Sequence, residues 1–175
     1  MLHKKGDKEN LSNYRLLSIS PTLSRFMGSV FCQQLRPILE HHYGPEQHGF
    51  RKGHSTIYLL HLLETIIHNA TTSKKEVIVI QADVAKAFDK IDREALASFV
   101  EQIIKPCSPE AAAFIKHMYD GDEVVLQHGE ETSHIKILSG IRQGDPLSPA
   151  LFSALLGHIL SPLIAEFTPK ACGFL

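Results

Sequence analysis

Three aspartates follow closely on an apolar run in the stretch VIVIQADVAKAFDKID, residues 77–92. Carboxylates are the ligands that hard divalent cations prefer, and Mg²⁺ takes one or two of them together with waters and phosphate oxygens. Asp83, directly after the run, is therefore a candidate metal ligand. It is equally a candidate helix cap or ion-paired acid at a strand end, and residue type leaves both open. A second polar stretch, SGIRQGDPLSP, residues 139–149, combines turn residues with hydrogen-bonding groups. Its glycines permit close backbone approach, and the Gln143 amide carries both donors and an acceptor.

Other chemistries find little support. The eleven histidines contain no H-x-x-x-H or H-E-x-x-H arrangement, and the adjacent His41 and His42 would point different ways on a helix. Cys32, Cys107 and Cys172 are scattered without a C-x-x-C pair, which reads as reduced thiols and as neither a zinc site nor a disulfide framework. Serine, cysteine and histidine show no order that would suggest a hydrolytic triad.

The elements that must position these residues can be read from periodicity. Residues 1–20 have no long period, and Gly6-Asp7 reads as a turn between short strands. A helix is expected from Pro21, capped by Ser20, with Leu23, Phe26, Met27, Val30 and Phe31 on one face and a kink or stop near Pro37. Ser55 or Thr56 caps a second helix, striped by Leu59, Leu62, Leu63, Ile66 and Ile67. Val77–Ile80 reads as a strand buried on both faces. Asp92 caps a helix striped by Leu96, Phe99, Val100, Ile103 and Ile104 and ended by Pro106; Ser108-Pro109 opens another to about Tyr119. EVVLQHGEETSHIKIL reads as a hairpin around His128-Gly129-Glu130. An apolar helix runs from about Ala150 to Leu160, with Pro162 as a kink or stop. Helices and strands in irregular order imply an α+β domain rather than βαβ alternation.

A chain of 175 residues, 43% hydrophobic and 21% charged, suits a single soluble domain. No apolar run reaches the roughly 20 residues of a membrane span, and the polar start MLHKKGDKEN is unlike a secretory signal. The expected location is intracellular, with no membrane partner. Net charge is −1, but residues 1–52 carry eight Lys/Arg against four Asp/Glu, and the remainder ten against fifteen. A basic first third suggests a surface for polyanions; a chance fluctuation on a solvated surface stands beside that reading.

Together the motifs resemble reverse transcriptases, particularly those of non-long-terminal-repeat retrotransposons. DVAKAFD, residues 83–89, is similar to their first catalytic motif, and KKGDKENLSNYRLLSIS to their opening fingers motif, usually written with NYRPISL. QHGFRKGHST and GIRQGDPLSPALF match two further motifs in the same order, across nearly the whole chain. The resemblance implies a right-hand polymerase fold with fingers at about residues 1–75, palm elements at about 76–175 and no thumb. It implies an RNA-directed DNA polymerase using Mg²⁺, an RNA template, a DNA primer and deoxynucleoside triphosphates, and a location extending to the nucleus.

By the same resemblance Asp83 matches the first metal-binding aspartate, and Val84 the position whose carbonyl holds the same ion. Phe88 matches the steric gate that leaves no room for a ribose 2′-OH. Lys4 or Lys5 with Arg15 matches the cations on the incoming triphosphate, while Leu16 replaces the usual proline. Gln143 and Gly144 match the loop beside the nucleotide. Arg51 matches a motif near the template, where a phosphate contact competes with an internal salt bridge. Asp89, Asp92, Arg142 and Asp145 are expected to be structural.

Two-metal nucleotidyl transfer needs carboxylates enough for two cations about 4 Å apart. The family supplies two of them from a Y/F-x-D-D hairpin, and this chain has no adjacent Asp-Asp. It ends at KACGFL, where the resemblance places the approach to that hairpin, so the expectation is a chain truncated before the motif and inactive alone. Exposed apolar surface around the last helix is expected with it. The rival readings are a non-catalytic nucleic-acid-binding remnant and a retroelement relic without activity.

Overall fold

The computed structural model describes residues 2–15, 17–44 and 46–167. Two short strands open it, β1 (Leu2–His3) and β2 (Tyr14–Arg15), paired antiparallel with Leu2 opposite Arg15. The turn region expected at Gly6 is there, with Gly6 at φ +91°. Leu16 lies outside the described residues.

Helix α1 (Thr22–Glu40) starts after Pro21, whose side chain makes no cap bond, and not after a Ser20 cap. It runs through Pro37 without stopping. Proline deprives the helix of one donor, but Leu35 and Leu39, both fully buried, anchor the turns on either side. The face α1 buries is Gly28, Phe31, Leu35 and Leu39. Leu23 and Phe26, assigned to the core face by spacing, are 72% and 61% exposed. Their turn extends beyond the elements that α1 packs against, so an apolar stripe outruns its partner.

Helix α2 (Thr56–Thr72) is capped by Ser55, whose hydroxyl accepts from the Ile57 N–H at 3.2 Å. Its expected stripe is present in sequence, yet none of its residues is fully buried. Helix α3 (Arg93–Phe99) is capped by Asp92, which accepts from the Glu94 N–H at 2.8 Å. It passes directly into a π-helical turn, Val100–Ile104, in which the Lys105 N–H reaches back to the Val100 carbonyl. The wider turn keeps Phe99, Val100 and Ile104 all buried. Helix α4 (Pro109–Tyr119) has Ser108 as cap and proline in its first turn. Strands β3 (Glu123–His128) and β4 (Glu131–Lys136) form the expected antiparallel hairpin, with His128 opposite Glu131.

Helix α5 (Ser148–Phe167) starts two residues earlier than expected and continues past Pro162. It is therefore long and apolar enough to cross a membrane, which no unbroken run in the sequence was expected to be. Its first turns belong to the core instead: Leu151, Ser153, Ala154 and Leu155 are buried among α1, α3 and α4. Ile159 and Leu163 farther along are 52% and 44% exposed, in line with the apolar surface expected there.

The expected strand at Val77–Ile80 does not form. The segment is coil, with Ile78 and Ile80 each 88% exposed. A strand is a property of a pair, because its backbone donors and acceptors need a ladder partner. The two sheets among the described residues, β1–β2 and β3–β4, have no edge paired with this segment. The result is an α+β chain whose core is helical and whose sheets lie outside it.

Candidate functional site

Two motif segments are fastened to each other. The turn Ala87–Lys90 and the loop after β4 are joined by the Ile141 N–H donating to the Phe88 carbonyl at 2.9 Å and the Gly140 N–H to Ile91 at 2.7 Å. The Ser139 hydroxyl donates to the Asp89 carbonyl at 3.1 Å. Gly140 sits at φ +87°, and a Cβ there would lie 2.9 Å from the Asp89 carbonyl oxygen, so only glycine fits this closure.

Side chains complete the join. The Gln143 amide donates from Nε2 to Asp89 Oδ1 at 3.0 Å. A carboxylate can only accept, so this bond fixes the amide with its carbonyl turned away from Asp89. The Gln143 backbone carbonyl accepts from the Ser18 N–H at 2.8 Å, and a Cβ on Gly144 would meet the Ser18 carbonyl at 2.8 Å. The segment after β2 is thus held against the same loop. Phe88 is half-buried, stacked on Phe152 with centroids 4.7 Å apart and edge-on to Phe50 at 5.9 Å.

Asp83 lies outside this join, exposed in coil, with neither a cap bond nor an ion pair among the described residues. Val84 beside it is 62% exposed. The described residues contain no group of three His, Cys, Asp or Glu side chains that could hold a metal ion. One isolated carboxylate does not offset the mutual repulsion and dehydration of two divalent cations, so the described residues do not by themselves make a two-ion centre.

Lys4, Lys5 and Arg15 are exposed on one hairpin, where the Lys4 N–H donates to the Asn13 carbonyl at 2.8 Å. None has an ion-pair partner among the described residues. Arg51 has the internal partner that the sequence left in competition with phosphate: its Nε lies 2.6 Å from Glu40, and Nη1 donates to the Gly44 carbonyl at 3.1 Å.

Two polar devices stand beside the site; they contain Arg142 and Asp145, expected to be structural, and Asp122 and Arg93, for which the sequence had no signal. Asp122, its side chain 8% exposed, accepts from Arg93 and from Arg142, each at 2.9 Å. Burial alone would push its carboxyl up; the two guanidiniums outweigh that and hold it below the usual carboxylate range. Arg93 also donates to the Gly140 and Tyr119 carbonyls, tying α3 to the loop. Asp145 is buried, with Oδ1 accepting from the Leu147 N–H at 2.9 Å and Oδ2 unpartnered. Gly28 makes room for it, since a Cβ there would come within 3.3 Å of Oδ1. The partners of Asp122 are 20 and 29 residues away in sequence, a spacing that no local rule predicts. Cys32 and Cys107 are free thiols, as expected, and Cys172 lies outside the described residues.

Comparison with known proteins bears on what the joined segments are. The chain is 30% identical, over 99% of its length, to a retrovirus-related Pol polyprotein from a type-1 retrotransposable element R2 of Popillia japonica, of which it covers 24%. It is 27% identical over 93% of its length to a probable RNA-directed DNA polymerase from transposon BS of Drosophila melanogaster, covering 18% of that protein. A 149 kDa protein of transposon TX1 from Xenopus laevis is 25% identical over 96% of the chain, which covers 13% of it. The chain thus spans about a quarter or less of these relatives. The family described as reverse transcriptase (RNA-dependent DNA polymerase) matches residues 2–175. With that match spanning both fastened motifs and the basic hairpin before them, the chain belongs to the reverse transcriptase family.

Proposed function

We propose that the chain is the fingers, at about residues 1–75, and part of the palm, at about 76–175, of an RNA-directed DNA polymerase. The observation that supports this is the join between residues 87–92 and 139–144, in which the Gln143 amide bonds Asp89, the residue after Phe88. In this reading Phe88, wedged between Phe50 and Phe152, is a fixed wall against a ribose 2′-OH. Gln143 and Gly144 line the nucleotide, and Lys4 or Lys5 with Arg15 meets its triphosphate. Asp83 and the Val84 carbonyl contribute to a Mg²⁺ centre whose other carboxylates come from outside this chain. The template is RNA and the primer DNA.

Alone, the chain does not perform nucleotidyl transfer, since its described residues furnish a single carboxylate for the ions. Primer extension with purified protein, template–primer, deoxynucleotides and Mg²⁺ tests this. No extension is expected; robust extension abolished by Asp83→Ala would overturn it. The unpaired Lys4, Lys5 and Arg15 favour a second reading, a nucleic-acid-binding module without catalysis. Salt-dependent binding that weakens when these charges are removed, in a chain that never extends a primer even with the missing carboxylates supplied in trans, supports that alternative.

A further inference from the structure

The connection between α1 and α2 brings two histidines together. His48 Nδ1 and His54 Nδ1 lie 3.4 Å apart, with ring centroids separated by 4.8 Å and planes inclined at 69°. Local structure fixes both rings. His48 is half-buried and stacks on the Tyr58 ring, with centroids 5.4 Å apart and planes at 17°. His54 follows Gly53, at φ +79°, and its N–H donates to the Arg51 carbonyl at 3.2 Å. The chain around them is braced by Arg51 on Glu40 and by the Gln47 amide, which donates to the Gly49 carbonyl at 2.9 Å.

A neutral imidazole carries one N–H and one nitrogen lone pair. Two Nδ1 atoms this close need a proton or a cation between them, since two facing lone pairs repel. A shared proton fits poorly, because 3.4 Å exceeds the roughly 2.7–3.2 Å of a well-made hydrogen bond. A transition ion fits well. With bonds of about 2.0–2.1 Å to each nitrogen, the same separation sets the angle at the ion to about 108–116°, around the tetrahedral value. The donor type selects the ion: imidazole nitrogen suits Zn²⁺, Cu²⁺ and Ni²⁺, whereas Mg²⁺ takes oxygen. Among the described residues no third His, Cys, Asp or Glu completes a cluster, so the remaining positions fall to water or to an incoming ligand.

We infer that His48 and His54 form a two-ligand site for a first-row transition ion, Zn²⁺ foremost because its four-coordinate geometry is tetrahedral. Its effect on the fold follows from its position. His54 immediately precedes the Ser55 cap, and α2 has no fully buried residue to anchor it. An ion spanning both rings favours the conformation that places them, and so holds the start of α2 to the loop before it. The inference goes beyond the polymerase reading and does not rest on it. Nitrogen donors also keep this site distinct from any Mg²⁺ centre at Asp83.

Isothermal titration calorimetry of the full chain with Zn²⁺, in chelator-free buffer containing excess Mg²⁺, tests the site. One ion per chain is expected, without competition from Mg²⁺. His48→Phe keeps a ring against Tyr58 and His54→Phe keeps one at the turn, while each removes a ligand nitrogen. Losing a partner that merely orients a ligand costs about 10–100-fold in metal affinity, so each variant is expected to bind at least tenfold more weakly. His68→Ala, at an exposed position on α2, and His158→Phe, which removes one ring of the His42–His158 pair, are controls expected to match the parent chain. Hydrogen exchange gives a second readout. With Zn²⁺ at ten times its Kd, exchange through local opening at the Ile57 and Tyr58 amides, both bonded to Ser55, should slow about tenfold in the parent and not in His54→Phe. All four positions reach the surface, and circular dichroism confirms that each variant is folded. No saturable binding by the parent, or parental affinity in both His48→Phe and His54→Phe, would overturn the inference and leave the contact a hydrogen bond between neutral rings. Equal losses in the controls, displacement by Mg²⁺, or unchanged exchange at Ile57 and Tyr58 would overturn it as well. No primer extension is read, so the outcome here and the outcome for the polymerase reading are independent.

Discussion

At the scale of single residues, the structure separates side chains that hold the site from side chains that face a ligand. Asp122 belongs to the first group. Removing it strands two guanidiniums that are 15% and 27% exposed, and Asp122→Ala is expected to cost about 2–4 kcal/mol in urea unfolding. Its folded carboxyl titrates below the ordinary value, so the stabilisation is fully present above pH about 4 and is lost as pH falls through the folded value. Asp122→Asn should accordingly show a flatter decline in stability between pH 5 and pH 2 than the parent chain; equal slopes would mean that the pair carries no net coupling. Phe88 is assigned to the second group by the proposal, although its stacking on Phe152 also makes it part of the core. Phe88→Ala is expected to erase discrimination between deoxyribo- and ribonucleoside triphosphates in competition binding. A preserved ratio would leave the ring a packing residue only.

At the scale of elements, periodicity was a sound guide to helices and a poor one to the strand. Ser55, Asp92 and Ser108 cap α2, α3 and α4 as their types and positions indicate, because capping is a contact between near neighbours. Val77–Ile80 has the composition of a buried strand, but burial depends on a ladder partner that composition does not contain. The site was legible in the same uneven way. The motif residues of both joined segments were readable, whereas Asp89 as the acceptor for Gln143 and the Arg93–Asp122–Arg142 cluster depend on contacts far apart in sequence. A short β-branched segment left exposed is a template for association. Ile78→Lys with Ile80→Lys should leave unfolding free energy within about 0.5 kcal/mol while reducing concentration-dependent light scattering. A drop in stability would show that these side chains are buried in solution.

At the scale of the whole molecule, stability is concentrated in α1, α3, α4 and the first turns of α5, whose buried side chains form one cluster. Leu35→Ala, at a fully buried position, should cost about 2–5 kcal/mol. Helix α2 has no fully buried residue and lies outside that cooperative unit. Native-state hydrogen exchange should find the amides of α2 opening well before those of α1 from Phe31 to Leu39. Uniform protection across both helices would refute this division. The basic hairpin of β1 and β2 lies in the first third of the chain, which gives part of the charge asymmetry read from composition a physical location.

The π-helical turn at Val100–Ile104 gives chain length a meaning of its own. A regular α-helix advances about 100° per residue, and this turn spends one residue more than regular winding needs. Deleting a single residue there would restore ordinary winding and leave the chain after it in register. Pro106 and the Ser108 cap would then keep the faces they now occupy. A one-residue gap at this point in a related chain is therefore taken up within the turn, leaving the Tyr119 carbonyl that Arg93 holds where it is.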